Sequence, residues 1–551
     1  MRSTALVAVP LLATLLVARD EAQQPLASGQ LGDDETRAIS YDRDQYIEKI
    51  MKDWHVPGLA VAVVNGNDTW SKGYGYATLN TTPVTPHTLF YAGSTTKSFT
   101  AAGISLLVDN STFPDLTWTT PVSSVLRDDF VLSDTWATAH ITLEDVLSHR
   151  TGYPRHDLAS ALTARETTRM LRHLPMSAEP RARFQYCNKM FGVMGHLIET
   201  LTGEWLGDFF RARLWEPMGM NETYFSLADA ENSVLDLASE YFYDYTGGKH
   251  YPVPHKPRSG EEGAGSIISN VLDYAKYLRV MMNEEDPISA SGHRELKTPR
   301  SLYAISQRPF TGPLTYGLGW VAGVLGGEVV YFHSGQVTEH VSMMMMIPAR
   351  KVAVSVMSNT ESLAASLIAL HILYEKLGIP EDKRDDLDLN DKWKRDRKTQ
   401  QKQRENCDKD IYPSAPHPPM LPSVPLADHT GEYANPGYGK VTVDLYCPDA
   451  VSMLRGPRGS RDRGCQLRVL GVAGAAIDYL KLMVYLAPKS GNYWVGRAYI
   501  EAGDVRQVDT PAWCMRAEFE IDVSGGVKRF RLDVRLEGDN VPLVWFDRVD
   551  N

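Results

Sequence analysis

A change of texture between residues 381 and 425 constrains this chain more than any other feature. From Glu381 to Asp410 two-thirds of the positions are charged, with both signs mixed. Such a stretch reads as a solvated helix or linker, not a core element. Six prolines follow, at 413, 416, 418, 419, 422 and 425. Their fixed backbone makes that run stiff and extended. The chain therefore divides into a larger part, residues 40–380, and a smaller part, residues 426–551, joined by the linker 381–425. The larger part has ample length for a sizeable core.

On the larger side helical and strand patterns alternate. Leu59-Ala-Val-Ala-Val-Val64 is an apolar run of strand length, and Asn65-Gly66 supplies the tight turn after it. Residues 101–108 have helical apolar spacing. Thr142-Leu-Glu-Asp145 ahead of Val146-Leu147 has the form of a capping box. Met190, Val193, Met194, Leu197, Ile198 and Leu201 trace one helical face, which Gly203 ends. Residues 329–332, 341–347 and 352–357 predict three neighbouring strands of an antiparallel meander. On the smaller side the runs are short and alternating: 440–445, 480–486, 493–500, 519–523, 529–534 and 543–546. Turns such as Ser524-Gly525-Gly526 separate them. That texture predicts an all-β barrel or sandwich.

The N-terminus stands apart. Positive charge at Met1-Arg2 precedes an unbroken apolar run from Ala5 to Ala18. The run is too short to span a bilayer and matches the centre of a secretory signal, residues 1–22, with cleavage after Ala18 or Ala22. No later segment predicts a membrane span. The expected localisation is secreted, with glycosylation acceptors at Asn67, Asn80, Asn110 and Asn221. Of five cysteines, Cys187 lies alone and Cys407, Cys447, Cys465 and Cys514 fall in the last third. In an exported chain those four predict up to two disulfides in one of three connectivities. Cys447 and Cys465 bracket a Gly/Arg-rich excursion and are the expected local pair; Cys187 is expected to be a free, buried thiol. The formal net charge of -11 disfavours a nucleic-acid partner.

Three short motifs carry the chemistry. There is no Gly-x-Ser-x-Gly elbow, no His-Glu-x-x-His and no phosphate loop, and Gly317-Leu-Gly319 lacks the strand-turn-helix frame of a dinucleotide site. No cofactor or metal is called for. Ser94-Thr-Thr-Lys97 opens a predicted helix, where the macrodipole favours negative charge on the serine oxygen. Lys97 shares its face, and a buried lysine there loses its proton readily and can serve as a base. Tyr186-Cys-Asn188 precedes a second helix. Its tyrosine can shuttle the serine proton, and its asparagine can orient Lys97 and hold a substrate carbonyl. His333-Ser-Gly335 ends a strand. There Gly335 gives a substrate close access to the backbone, and the Gln336 N–H joins the Ser94 N–H as an oxyanion hole.

This ordered trio resembles the serine β-lactamase and penicillin-binding-protein superfamily, closest to its class C β-lactamase, esterase and D-aminopeptidase branch. Val56-Pro-Gly-Leu-Ala60, Leu147-Ser-His-Arg-Thr-Gly152, Gly263-Ala-Gly-Ser-Ile-Ile268 and Tyr316-Gly-Leu-Gly-Trp320 add to the likeness, which covers about residues 40–380. The resemblance implies an α/β (α+β) hydrolase domain, an antiparallel sheet flanked by helices, followed by the β domain. It implies catalysis by Ser94, Lys97 and Tyr186, with Asn188, His333, Gly335 and Gln336 at the substrate and oxyanion positions. Tyr433-Ala-Asn435 and Lys489-Ser-Gly491 mimic the same motifs, but in the β-rich tail, where both are expected to be surface positions. The departure is His333, where β-lactamases carry a lysine that anchors a carboxylate. His333 is accordingly expected to face the substrate and to titrate at about 6 to 7. The expected activity is hydrolysis of an ester or amide of a small molecule or peptide, D-amino-acid-containing peptides included, through an acyl-enzyme. The alternatives are acyl transfer by the same intermediate and a non-catalytic scaffold.

Overall fold

The computed structural model describes residues 33–549, apart from 246, 448–464, 472–480, 503–504, 507–511, 535 and 537–542. The expected signal segment lies outside the described residues. A nine-stranded antiparallel sheet forms the first half. Its central strands are Gly58–Asn65, Val352–Ser358, His340–Ile347 and Glu328–Val337, side by side in that order. The meander expected at 329–357 is present in register, with His333 opposite Met344 and Met344 opposite Ser355.

Both faces of this sheet are covered, which explains why its strands read as continuous apolar runs instead of alternating ones. Leu59, Val61 and Val63 pack toward the helices Asp33–Asp53 and Ala364–Lys376. Ala60, Ala62 and Val64 face the other way, into the core shared with the helices Thr96–Val108, Asn188–Thr202 and Val271–Asn283. The capping box is formed as expected: Thr142 Oγ1 accepts from Asp145 N, and the Asp145 carboxylate accepts from Thr142 N. Gly203, in the left-handed conformation at φ 71°, ends its helix.

The charged stretch takes the helical one of its two expected readings, but it is not merely solvated. Asp386–Glu405 is a helix, and it is docked. Leu389 is buried among the apolar residues of the first half. Trp54 Nε1 donates to Asn390 Oδ1 at 2.8 Å, and the Arg397 guanidinium lies 3.6 Å from the centre of the Tyr245 ring. A few apolar and amide contacts fasten an otherwise charged helix, so composition alone hides the docking.

Beyond it, eight antiparallel strands form a closed barrel. They run as a meander from Gly431–Asn435 to Val544–Arg548, and the last strand pairs with the first. All six predicted runs overlap strands, residue 480 lying outside the described residues. Gly431–Asn435 and Gln466–Leu470 were not foreseen, because five-residue strands carry too little alternation. The interior is filled: Phe519, Phe530 and Phe546 stack with centroids 5.2–5.3 Å apart, so the lumen is a core. Tyr433 belongs to that interior, not to the surface, its hydroxyl donating to His429 O at 2.8 Å. Disulfides join Cys447 to Cys465 and Cys407 to Cys514, and Cys187 is free and buried. The second bridge ties the end of the linker helix to the barrel. Among the described residues no helix is long and apolar enough to cross a membrane.

Candidate active site

Ser94 sits in the short turn Gly93–Thr95, which runs straight into the helix Thr96–Val108. Gly93 makes the turn possible. Its φ is +57°, and an added Cβ would lie 2.4 Å from Gln336 N. The Gln336 amide nitrogen thus abuts the serine turn at the end of the His333 strand. Ser94 and Gln336 come together as expected.

Lys97 is fully buried one turn along the helix. Its Nζ is 3.0 Å from Ser94 Oγ, 2.8 Å from Asn188 Oδ1 and 2.9 Å from Ala264 O. Burial, reinforced by the nearby Arg155 guanidinium, holds its amine well below the usual lysine range. For the neutral amine that this shift favours, the hydrogen bonds leave a single arrangement. A neutral amine has two N–H groups and one lone pair. The Ala264 carbonyl can only accept. Asn188 Nδ2 donates to Asp157 Oδ1 at 3.1 Å, which turns the amide oxygen toward Lys97. Both N–H groups are therefore committed, and the lone pair faces the Ser94 hydroxyl.

Tyr186 closes the other side. Its hydroxyl is hydrogen-bonded to Ser94, and burial raises its pKa above the ordinary tyrosine value, so it stays protonated. Lys97 Nζ and the Arg155 guanidinium each lie 4.8 Å from the centre of its ring. His149 packs on it at 4.3 Å and accepts from Cys187 N at 3.1 Å, fixing the Tyr186-Cys-Asn188 segment. Two neighbouring groups are thus pushed in opposite directions, one toward base and one toward acid.

His333 lies within the strand Glu328–Val337 and not at a strand end, and its ring is not turned to substrate as expected. Its Nδ1 donates to Ser334 O at 2.6 Å, so its Nε2 accepts from the Tyr316 hydroxyl at 3.0 Å. Burial, with Lys97 close by, lowers it to about 3, far from the expected 6 to 7. Both ring nitrogens are held by the protein, and the ring supports Tyr316 instead of presenting a charge to substrate. Gly335 also has a different reason from the one expected. A Cβ there would lie 1.9 Å from Ala92 O, so the glycine lets the strand press against the serine turn. Gly319 plays the same part, its added Cβ 2.8 Å from Lys97 O.

Sequence reasoning missed Ala264, which acts through its carbonyl, and Asp157, which acts through Asn188. It also missed Glu240, which lies behind the hairpin beyond Gln336. The Glu240 Oε2 accepts from Glu339 N at 2.8 Å, and burial pushes its carboxyl up to about 8. The acceptors Asn67, Asn80 and Asn221 are exposed, whereas Asn110 is half-buried and accepts from Thr112 N at 2.9 Å.

The family description "Beta-lactamase" matches residues 43–376. Two fungal proteins named unguisins hydrolase are similar to this chain. One, from Aspergillus campestris, is 40% identical over 448 residues, 79% of this chain and 83% of its own. The other, from Aspergillus violaceofuscus, is 35% identical over 476 residues, 81% of this chain and 84% of its own. The octameric penicillin-binding protein homologue from Pyrococcus abyssi shares the fold, with a TM-score of 0.57 at 23% identity, covering 92% of this chain and all of that one. With a family match across more than half its length, and with relatives this similar over most of it, the chain belongs to the beta-lactamase family as a serine hydrolase of the β-lactamase and penicillin-binding-protein superfamily.

Proposed function

We propose that the protein hydrolyses an uncharged ester or a peptide amide through an acyl-enzyme on Ser94. The observation that carries this reading is the buried contact of Lys97 Nζ with Ser94 Oγ at 3.0 Å, its other two contacts being the acceptors Asn188 Oδ1 and Ala264 O. Ser94 Oγ attacks the substrate carbonyl as its proton passes to Lys97 Nζ. The carbonyl oxygen becomes an oxyanion between the Ser94 and Gln336 amides. Tyr186 donates its proton to the departing alcohol or amine and is reprotonated from Lys97. Water then attacks the ester of Ser94, losing a proton to Lys97, which passes it to Ser94 Oγ as the acid departs, restoring the free serine and the neutral amine.

The substrate class follows from His333. A neutral ring with both nitrogens committed offers no positive charge for a carboxylate, which favours uncharged acyl groups over penicillins. The names of the two fungal relatives support a peptide amide. The two disulfides and the apolar N-terminal run support export to an oxidising compartment.

A fluorophosphonate should label the native protein and leave Ser94→Ala unlabelled. Lys97→Ala and Tyr186→Phe should each lower kcat by about 10²- to 10⁴-fold, with strongly non-additive effects, because both act on one proton path. A substrate panel should contain esters, linear and cyclic peptides with L- and D-residues, and penicillins, with and without an added alcohol acceptor. Labelling of Ser94→Ala, or near-native turnover by Lys97→Ala, overturns the reading.

A further inference from the structure

The barrel reaches into the hydrolase half through the hairpin between the strands Gly431–Asn435 and Gly439–Tyr446. Asn435 shapes the hairpin, its Oδ1 accepting from Gly437 N at 2.8 Å and Tyr438 N at 3.0 Å. The tip fits flush against the first half: an added Cβ on Gly437 would lie 2.6 Å from Leu174 Cδ2 and 3.1 Å from His173 O. Tyr438 is 2% exposed, and its hydroxyl lies 2.6 Å from His156 Nδ1.

The direction of that bond is fixed. His156 Nε2 is 2.8 Å from Pro175 O, an acceptor only, so Nε2 carries the proton. Nδ1 is then the acceptor, and the Tyr438 hydroxyl donates to it. His156 is fully buried and has φ +49°, a backbone conformation that a side chain adopts only when its surroundings impose it. The surroundings here are three hydrogen bonds: two to the ring, one of them from the barrel, and one that the His156 carbonyl accepts from Ala159 N at 2.9 Å.

His156 stands between Arg155 and Asp157. Arg155 packs over Tyr186, and Asp157 orients Asn188, which orients Lys97. A backbone set at His156 thus sets both neighbours, and through them both flanks of Ser94. We propose that Tyr438 is a positioning residue: the barrel completes the active site in the same chain by holding His156, so that Asp157 and Arg155 aim Lys97 and Tyr186 at Ser94. This rests on the acyl-enzyme reading given above.

The test compares two tyrosine hydroxyls of one barrel. Tyr438→Phe removes the donor to His156 and keeps the packed ring. Tyr433→Phe removes an equally buried hydroxyl, which bonds only to His429 O within the barrel. Steady-state kinetics on an activated ester and the rate of fluorophosphonate labelling of Ser94 are measured for both variants, for the wild type and for Ser94→Ala. Tyr438→Phe should lower kcat and the labelling rate together by about 10-fold with KM unchanged, the size expected when a reacting group is misplaced by a fraction of an ångström. Tyr433→Phe should match the wild type. Native kinetics in Tyr438→Phe, equal losses in both variants, or a loss confined to KM overturns the proposal. If Ser94→Ala is inert while Tyr438→Phe is normal, only the positioning role falls; activity in Ser94→Ala removes the acyl-enzyme reading itself.

Discussion

Replacing Asp157 by asparagine tests the hydrogen bonds that aim Lys97. Asp157 can only accept, so Asn188 must turn its Nδ2 toward it and its Oδ1 toward Lys97. An asparagine at 157 can present either end, and the orientation of Asn188 is no longer compelled. Burial pushes the Asp157 carboxyl up, but Arg155, with Nε 2.6 Å from Oδ2, together with Lys189 and Asn188, outweighs it and brings the group from 3.8 to about 2. At about 1.4 kcal/mol per pH unit, that difference favours the ionised form by about 2.5 kcal/mol. The side chain is 36% exposed, so water screens the ion pair, and about 1 kcal/mol is expected to survive. A carboxyl with a depressed folded pKa contributes stability that is present above 3.8 and lost as pH falls through about 2. Urea unfolding should therefore show Asp157→Asn less stable than the wild type by about 1 kcal/mol at pH 7, with the gap closing between about pH 4 and 2. On an activated ester at pH 7, kcat should fall about 10- to 100-fold with little change in KM. A native kcat, or a stability gap equal at pH 7 and at about pH 2.5, would refute the reasoning.

His333→Lys should lower kcat/KM on ester and penicillin substrates alike by about 10-fold or more, because it strands the Tyr316 hydroxyl and buries a second amine beside Lys97. The wild-type pH profile should lack a histidine inflection at about 6 to 7; a gain on penicillins alone, or such an inflection lost on substitution, argues the opposite. Peptide mapping should recover Cys407–Cys514 and Cys447–Cys465, with Cys187 alkylated only after unfolding, since burial pushes its thiol up to about 12. Losing the bridge across 107 residues of chain should cost about 4.7 kcal/mol in the chain-entropy account, and rapid alkylation of native protein would contradict the burial. Glu240 is held neutral in the fold up to about 8, and its contribution, full below 4.5, is lost as pH rises from there through about 8, so Glu240→Gln should lose less stability than the wild type across that window and keep activity better as pH passes about 8. Identical stability profiles of the two proteins between pH 4.5 and about 8 would count against that role.

What the sequence revealed depended on where each chemical role resides. Ser94 and Lys97 are legible because one helical turn binds their spacing, and Tyr186 and Asn188 because they open a helix in a motif. Ala264 acts through a carbonyl that any residue could supply, so its side chain gives no signal. Asp157 and Tyr438 act across 31 and 282 residues of chain, through partners no local pattern connects. His333 is found on the expected strand but inside it, four residues before its end, and its environment was hidden, because Tyr316 reaches it only once the edge of the sheet is assembled. Closure of the barrel was equally hidden: alternation shows that strands exist, not that Tyr433 pairs with Arg548.

The bridge between Cys407 and Cys514 has a topological consequence. It encloses the proline-rich segment in a covalent ring, together with the barrel strands up to Trp513–Ile521. A protease that cuts once between residues 413 and 425 opens that ring without releasing either half. The nicked protein keeps its mass and its hydrolase–barrel contact, and two fragments separate only after reduction.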